Sequence, residues 1–192
     1  MGLQHIKSTL QHTALALVIM ASFESEALAQ SYRYRYDTKI DCHAAPVTGF
    51  AFAACWVSYE VQFGLNVYRS WRLTYSDDVS QVVVGYFKPL NRGYFTIEHP
   101  DRIVQVFKSN AAVAKDVAGM HAIGAVESIG NDKFFSFSRP NRPDQKCGGF
   151  VRYGPMVTWG SSFLVNGFFC RRSREDIMAK EMKFFTDVLQ FK

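Results

Sequence analysis

Six basic residues, Arg139, Arg142, Lys146, Arg171, Arg172 and Arg174, crowd two short stretches of this 192-residue chain, and each stretch touches a cysteine. Lys146 directly precedes Cys147, and Arg171 directly follows Cys170. A bridge between those cysteines would set the two basic segments side by side, with Arg139 and Arg142 in the Pro-containing loop just upstream. Guanidinium groups are planar and fork-shaped, so a set of them can hold phosphate or carboxylate through paired hydrogen bonds. Binding of an anionic ligand is the chemistry this constellation offers. Asp144, Glu175 and Asp176 dilute the charge, and the two last already occupy the favourable dipole at the start of a helix expected after Ser173.

Catalytic patterns are sparse by comparison. Glu60, Asp77, Asp78, Glu98, Asp101 and Glu127 could supply an acid and a base, as glycoside hydrolysis requires, but nothing in their spacing shows which converge. Asp77-Asp78 fits a turn better than a catalytic dyad. His43, His99 and His121 stand apart, without a His-x-x-x-His ligand pair. Ser161 and Ser162 follow Gly160 without the Gly-x-Ser-x-Gly of a nucleophile elbow. Gly148-Gly149 is not followed by the Lys-Ser or Lys-Thr of a phosphate loop. Cys-x-x-Cys is absent, and Cys42 and His43, as immediate neighbours, point apart in an extended chain. The expectation is a non-enzymatic binding or interaction module without cofactor or metal. The alternative is a small envelope-polymer hydrolase using a pair of carboxylates.

The cellular address comes from the first 29 residues. One positive charge at Lys7 precedes the apolar run from Ala14 to Ala21, and Ala27-Leu28-Ala29 gives the small-x-small pattern that signal peptidase accepts. The run is too short to span a bilayer, and Glu24 and Glu26 sit beside it. Residues 1–29 therefore read as a cleaved signal peptide and residues 30–192 as one exported domain, periplasmic or secreted, with no transmembrane segment left after cleavage. A domain of that length can build a real hydrophobic core.

The full chain carries a formal net charge of +5. Loss of Lys7, Glu24 and Glu26 makes the mature chain slightly more basic. In an exported protein that balance points to anionic surfaces, lipid head groups or acidic polysaccharides and not to nucleic acid. Seventeen Phe, nine Tyr and three Trp exceed what one core of this size needs, so some aromatics should be exposed. Tyr32, Tyr34, Tyr36, Tyr68 and Trp159 are the candidates for contact with a glycan or a protein partner.

The elements that must position these residues are mostly strands. Tyr32, Tyr34 and Tyr36 alternate with Arg33 and Arg35 at the period of a strand or an ordered arm. Val67 to Tyr75, Gln81 to Phe87 and Tyr94 to Glu98 are rich in β-branched and aromatic residues, separated by Asp77-Asp78 and by Pro89 with Asn91-Arg92-Gly93. Arg102 to Lys108 reads as a further strand. Asn110 to Met120 reads as a short helix capped by Asn110. Ala122 to Ile129 and Lys133 to Ser138 form a hairpin across Gly130-Asn131-Asp132, and Cys147 to Tyr153 pairs with Ser162 to Phe169. Ile177, Met178, Met182, Phe185, Val188 and Leu189 give the terminal helix one apolar stripe.

Four cysteines in an oxidising compartment allow three connectivities, of which the local one, Cys147 with Cys170 and Cys42 with Cys55, is expected. The sum is an α+β domain: an antiparallel sheet with a C-terminal amphipathic helix and one or two further short helices packed on one face, stapled by disulfides. Cys147-Gly148-Gly149-Phe150-Val151 followed by Asn166-Gly167-Phe168-Phe169-Cys170 resembles a pattern in uncharacterised exported alphaproteobacterial proteins. That resemblance implies export and the Cys147 to Cys170 pairing, and no site residue.

Overall fold

The computed structural model of the chain describes residues 38–63, 66–90, 93–110 and 112–192. The leader and the Tyr32 to Tyr36 alternation lie outside them. Twelve strands and two α-helices are present among the described residues. Eight strands form one antiparallel sheet: β1 (Thr38–Ile40), β3 (Ala54–Phe63), β4 (Asn66–Ser76), β5 (Ser80–Pro89), β6 (His121–Ile129), β7 (Asp132–Ser138), β8 (Gln145–Tyr153) and β11 (Leu164–Arg172). Their spatial order is β1-β3-β4-β5-β11-β8-β7-β6. Two hairpin-connected meanders, β3-β4-β5 and β6-β7-β8, are thus joined by β11 inserted between β5 and β8.

The turns follow from residue chemistry. Asp77 closes the β4-β5 turn by accepting the N–H groups of Val79 and Ser80 at 2.8 and 2.6 Å, a local alternative to ladder pairing that aspartate favours. Between β6 and β7 the chain reverses at Gly130, whose φ of +61° suits a residue without Cβ.

Strand alternation gives the sheet two apolar faces, and both are covered. One face carries Val83, Phe87, Val151, Leu164 and Phe168 and packs on Ile103 and Phe107 of α1 (Pro100–Ser109) and on Ala112, Val113, Val117 and Met120. The other carries Leu73, Val82, Val84, Tyr86, Phe150 and Val165 and packs on Met182 of α2 (Ala179–Val188), on Ile177 and Leu189, and on Ala45 and Val47 of the N-terminal loop. Short β2 (Val47–Thr48) and β12 (Gln190–Phe191) pair with each other on this side.

This overturns the expected α+β arrangement with helices packed on one face. The protein is a predominantly antiparallel β-fold whose two short helices cover opposite faces. Arg102 to Lys108 is helix and not strand. Its β-branched Ile103, Val104 and Val106 suggest a strand, but Pro100 fits the first helical turn, Asp101 and Lys108 complement the dipole, and burying Ile103 and Phe107 one turn apart decides the outcome.

Residues 112–119 make consecutive turns in place of the expected helix. Asn110 does cap, its Oδ1 accepting the Ala112 N–H at 3.0 Å. The carbonyls that a helix would use are taken by arginines: Arg72 Nη1 donates to the Ala112 carbonyl and Arg139 Nη1 donates to that of Asp116 at 3.2 Å. Arg72 also pairs with the Asp116 carboxylate at 2.9 Å. Under this strap lies Asn166, 1% exposed, with neither amide atom hydrogen-bonded. Gly85, directly opposite Asn166 in the β5-β11 register, leaves room for it: a Cβ there would stand 2.8 Å from Asn166 Oδ1 and closer still to Ala112 Cβ.

Two further boundaries shift. Tyr94 to Glu98 forms an irregular strap with a single bridge, Phe95 to Ser161. The terminal helix starts at Ala179, six residues after Ser173. The Ser173 hydroxyl accepts the Glu175 N–H in a local turn, and the helix start is completed by Glu181, whose Oε2 accepts the Met178 N–H at 3.0 Å.

Candidate functional site

The two ends of the sheet have opposite chemistry. At one end, β8 begins and β11 finishes. Cys147 and Cys170 are partners in the register and are joined by a disulfide, with Cα atoms 4.0 Å apart, and Cys42 is bonded to Cys55. The local connectivity is the one present. The register places Lys146 directly opposite Arg171, next to the bridge, so the basic segments do meet.

They meet already neutralised. Like charges opposed across a sheet are unfavourable, and each here has its own carboxylate. Lys146 Nζ lies 2.9 Å from Asp176, Arg171 Nη2 donates to Glu181 at 2.7 Å, and Arg172 Nε donates to Asp144 at 3.0 Å. Arg139 turns inward, 3% exposed: Nη2 donates to Gln145 Oε1 at 2.5 Å and the guanidinium stands 5.5 Å over the Phe168 ring. Burial pushes its pKa below the usual arginine value. Arg142 and Arg174 remain exposed on loops, without an ion pair among the described residues. Of the six candidate ligand-binding residues, three form a paired network, one is a core strut and two point to solvent.

The carboxylates are similarly committed. Asp77 Oδ2 accepts the Tyr75 hydroxyl at 2.6 Å, and its carboxyl is held below the ordinary range by that bond first and by the Ser80 and Val79 N–H groups next. Glu98 lies 3.5 Å from Arg102, and Asp101 lies 3.1 Å from His99 Nδ1. Asp78 and Glu127 are exposed, and Glu60 belongs to β3. Asp41 Oδ1 accepts the His43 backbone N–H at 2.9 Å, beside an open groove of about 700 Å³ that Phe50 and Phe52 also line.

The opposite end is apolar. Here β8 finishes, β11 begins, and the chain between them forms a small hairpin of β9 (Met156–Val157) and β10 (Gly160–Ser161). The strap of residues 93–98 runs against it. Phe95 and Ser161 exchange both backbone hydrogen bonds at 2.9 Å, and the Ser161 hydroxyl donates to the Phe163 carbonyl at 2.6 Å. Gly160 permits the contact, since a Cβ there would meet the Phe95 carbonyl oxygen at 2.5 Å and the Tyr94 ring at 2.6 Å. The strap is anchored beneath by the Phe95 ring on Tyr68, centroids 4.7 Å apart, and by the Glu98 N–H donating to the Tyr153 hydroxyl at 3.1 Å.

Of ten large apolar side chains exposed among the described residues, six sit on this end: Leu90, Tyr94, Ile97, Met156, Val157 and Trp159. Trp159 is 75% and Met156 63% exposed. The expected exposure of Trp159 is therefore observed, whereas Tyr68 is buried under Phe95. Sequence reasoning passed over the other five. The available signal was composition: a turn marked by Gly154-Pro155 and Trp159-Gly160 carries methionine, valine and tryptophan where polar turn residues are usual. No known protein family, curated protein or solved structure matches the chain.

Proposed function

We propose that this protein is an exported, non-enzymatic binding module whose contact surface is the apolar end formed by Leu90, residues 93–98 and the β9-β10 hairpin. The observation that carries the reading is the presence of six exposed large apolar side chains there, Met156, Val157 and Trp159 on the hairpin and Leu90, Tyr94 and Ile97 at the end of β5 and on the strap bonded to that hairpin. A folded domain seldom leaves a contiguous apolar surface without a partner. The basic end contributes less than its sequence suggests, since Lys146, Arg171 and Arg172 already have carboxylate partners. Export is supported by the leader pattern and by two disulfides, which suit an oxidising compartment. No described helix is long and apolar enough to cross a membrane.

The test is hydrogen exchange across residues 93–98 and 154–161, alone and with the membrane and soluble fractions of the cell envelope added separately. Slowed exchange on adding one fraction, lost in Trp159→Ala, is the expected result. Unchanged exchange with both fractions sinks the reading. A parallel thermal-shift series with phosphates and acidic polysaccharides tests the basic end: a salt-sensitive shift abolished by Arg171→Ala with Arg172→Ala would return the contact surface there.

A further inference from the structure

Resting on that reading of the apolar end, we infer that its partner is the surface of an anionic phospholipid bilayer. Trp159, Met156 and Val157 enter the headgroup and upper acyl region, and Lys88 and Arg102 meet the lipid phosphates. At 75% and 63% exposure Trp159 and Met156 project from a two-stranded hairpin, with little protein around them. A rigid protein or sugar partner needs a surface complementary to such a projection, whereas a fluid bilayer closes around it.

Tryptophan and tyrosine prefer the membrane-water interface, where the ring is desolvated while its polar tip stays wet. Here Trp159 and Tyr94 stand with the aliphatic Leu90, Ile97, Met156 and Val157, which favour the hydrocarbon side.

Lys88 is exposed two residues before Leu90, at the same end of β5. Arg102, 70% exposed, follows the strap at the start of α1, and its contact with Glu98 is a loose 3.5 Å. Asp101 lies on the same turn, 3.1 Å from His99 Nδ1, and its exposed carboxylate opposes part of this attraction. The chain as a whole is positive, which adds attraction to an anionic leaflet. Finally, the hairpin needs no ordering on contact. The Phe95 to Ser161 bonds and the Ser161 hydroxyl already hold it in one form, which lowers the entropic cost of insertion.

The experiment is partition of the oxidised protein onto vesicles of phosphatidylglycerol with phosphatidylethanolamine, against vesicles of phosphatidylcholine. Tryptophan emission and quenching by lipids brominated along the acyl chain are the readouts. Binding to the anionic vesicles with a blue shift and quenching is expected, weakened by salt. Met156→Asp and Trp159→Ala should each lower the partition about tenfold or more, as loss of one partly buried large side chain implies. Both positions are exposed, so unchanged thermal melting of the variants verifies that the fold is kept.

No partition, equal partition onto phosphatidylcholine, or partition indifferent to Met156→Asp overturns the proposal. If vesicles fail while the soluble envelope fraction still protects residues 154–161, the lipid assignment falls and the contact surface stands. If protection is absent everywhere, both fall. An emission shift that follows protein concentration without lipid would identify a second copy of the chain as the occupant and overturn the assignment to lipid.

Discussion

Cys147 and Cys170 face one another across β8 and β11 as direct register partners, and their bridge is sealed inside the core at 1% and 0% exposure. The bond therefore combines two roles, a chain crosslink and a piece of apolar packing among Phe137, Val151 and Phe168. Replacing both cysteines with alanine should destabilise the domain by about 3 kcal/mol from loop entropy, plus a smaller packing loss. Urea unfolding of the double variant checks this. A change below about 1 kcal/mol would show that the sheet holds its register without the bond.

Two glycines in the same pair of strands should respond differently to alanine. A Cβ on Gly167 would stand 2.4 Å from the Val83 carbonyl oxygen, part of the β5 backbone, and 2.8 Å from the Phe150 ring. Relief requires moving a strand, so Gly167→Ala is expected to cost about 3 kcal/mol. A Cβ on Gly148 would meet the Met182 sulfur at 2.3 Å, the far end of a flexible side chain that can swing aside. Gly148→Ala should cost about half as much, and thermal melts of both variants test the order.

Stability should fall at both pH extremes in part through one hydrogen bond. The Tyr75 hydroxyl holds the Asp77 carboxyl below its ordinary 3.8, so this contribution is present above that pH and is lost as pH drops through the folded value. The same bond and the Asp77 charge hold the Tyr75 phenol above 10.0, a contribution present below that pH and lost as pH climbs through the folded value. Burial raises the Tyr86 and Tyr153 phenols as well, which deepens the alkaline loss. Tyr75→Phe should flatten the acid limb and the Tyr75 share of the alkaline limb. Urea midpoints across the pH range, superimposable for the two proteins, would refute this.

Asn166 offers a test with the opposite sign from ordinary core mutations. Its amide is buried with both atoms unpartnered, an arrangement that costs about 1–3 kcal/mol. Asn166→Val removes the polar atoms and should leave stability unchanged or raise it by about 1 kcal/mol. Asn166→Asp should lower it sharply by burying a charge. A clear loss of stability on Asn166→Val would reveal that the amide holds a bound water or ligand under the strap.

The hairpins β4-β5, β6-β7 and β8-β11 were legible because both signals are local: alternation of apolar residues along each strand, and Asp77, Gly130 or Gly154-Pro155 at the reversal. The Cys147–Cys170 bridge followed from the last of those hairpins, and Cys42–Cys55 from the preference for local pairing. Insertion of β11 between β5 and β8 was not legible, since it is set by packing over some eighty residues of separation that no local pattern encodes. Ile103, Val104 and Val106 misdirected for a related reason: β-branching is a weak local preference, and burial of Ile103 with Phe107 against the sheet outweighed it. At the basic end the crowding of Lys146, Arg171 and Arg172 was visible in the sequence. Their neutralisation was not, because Asp176, Glu181 and Asp144 reach them only once α2, the segment before it and the loop before β8 have docked.

The place of β11 has a consequence for the birth of the molecule. In a chain that emerges from its N-terminus, β3-β4-β5 and β6-β7-β8 can pair before β11 exists, as three-stranded ribbons that each leave an open hydrogen-bonding flank, on β5 or β8. Only when residues 164–172 appear can a single strand zip both flanks at once and bring Cys170 to Cys147. Until then the two ribbons are vulnerable to pairing with the wrong neighbour. Closure of the Cys147–Cys170 disulfide, which needs an oxidant to take two electrons from the pair of thiols, is thus a chemical timestamp, marking the moment when two halves become one sheet.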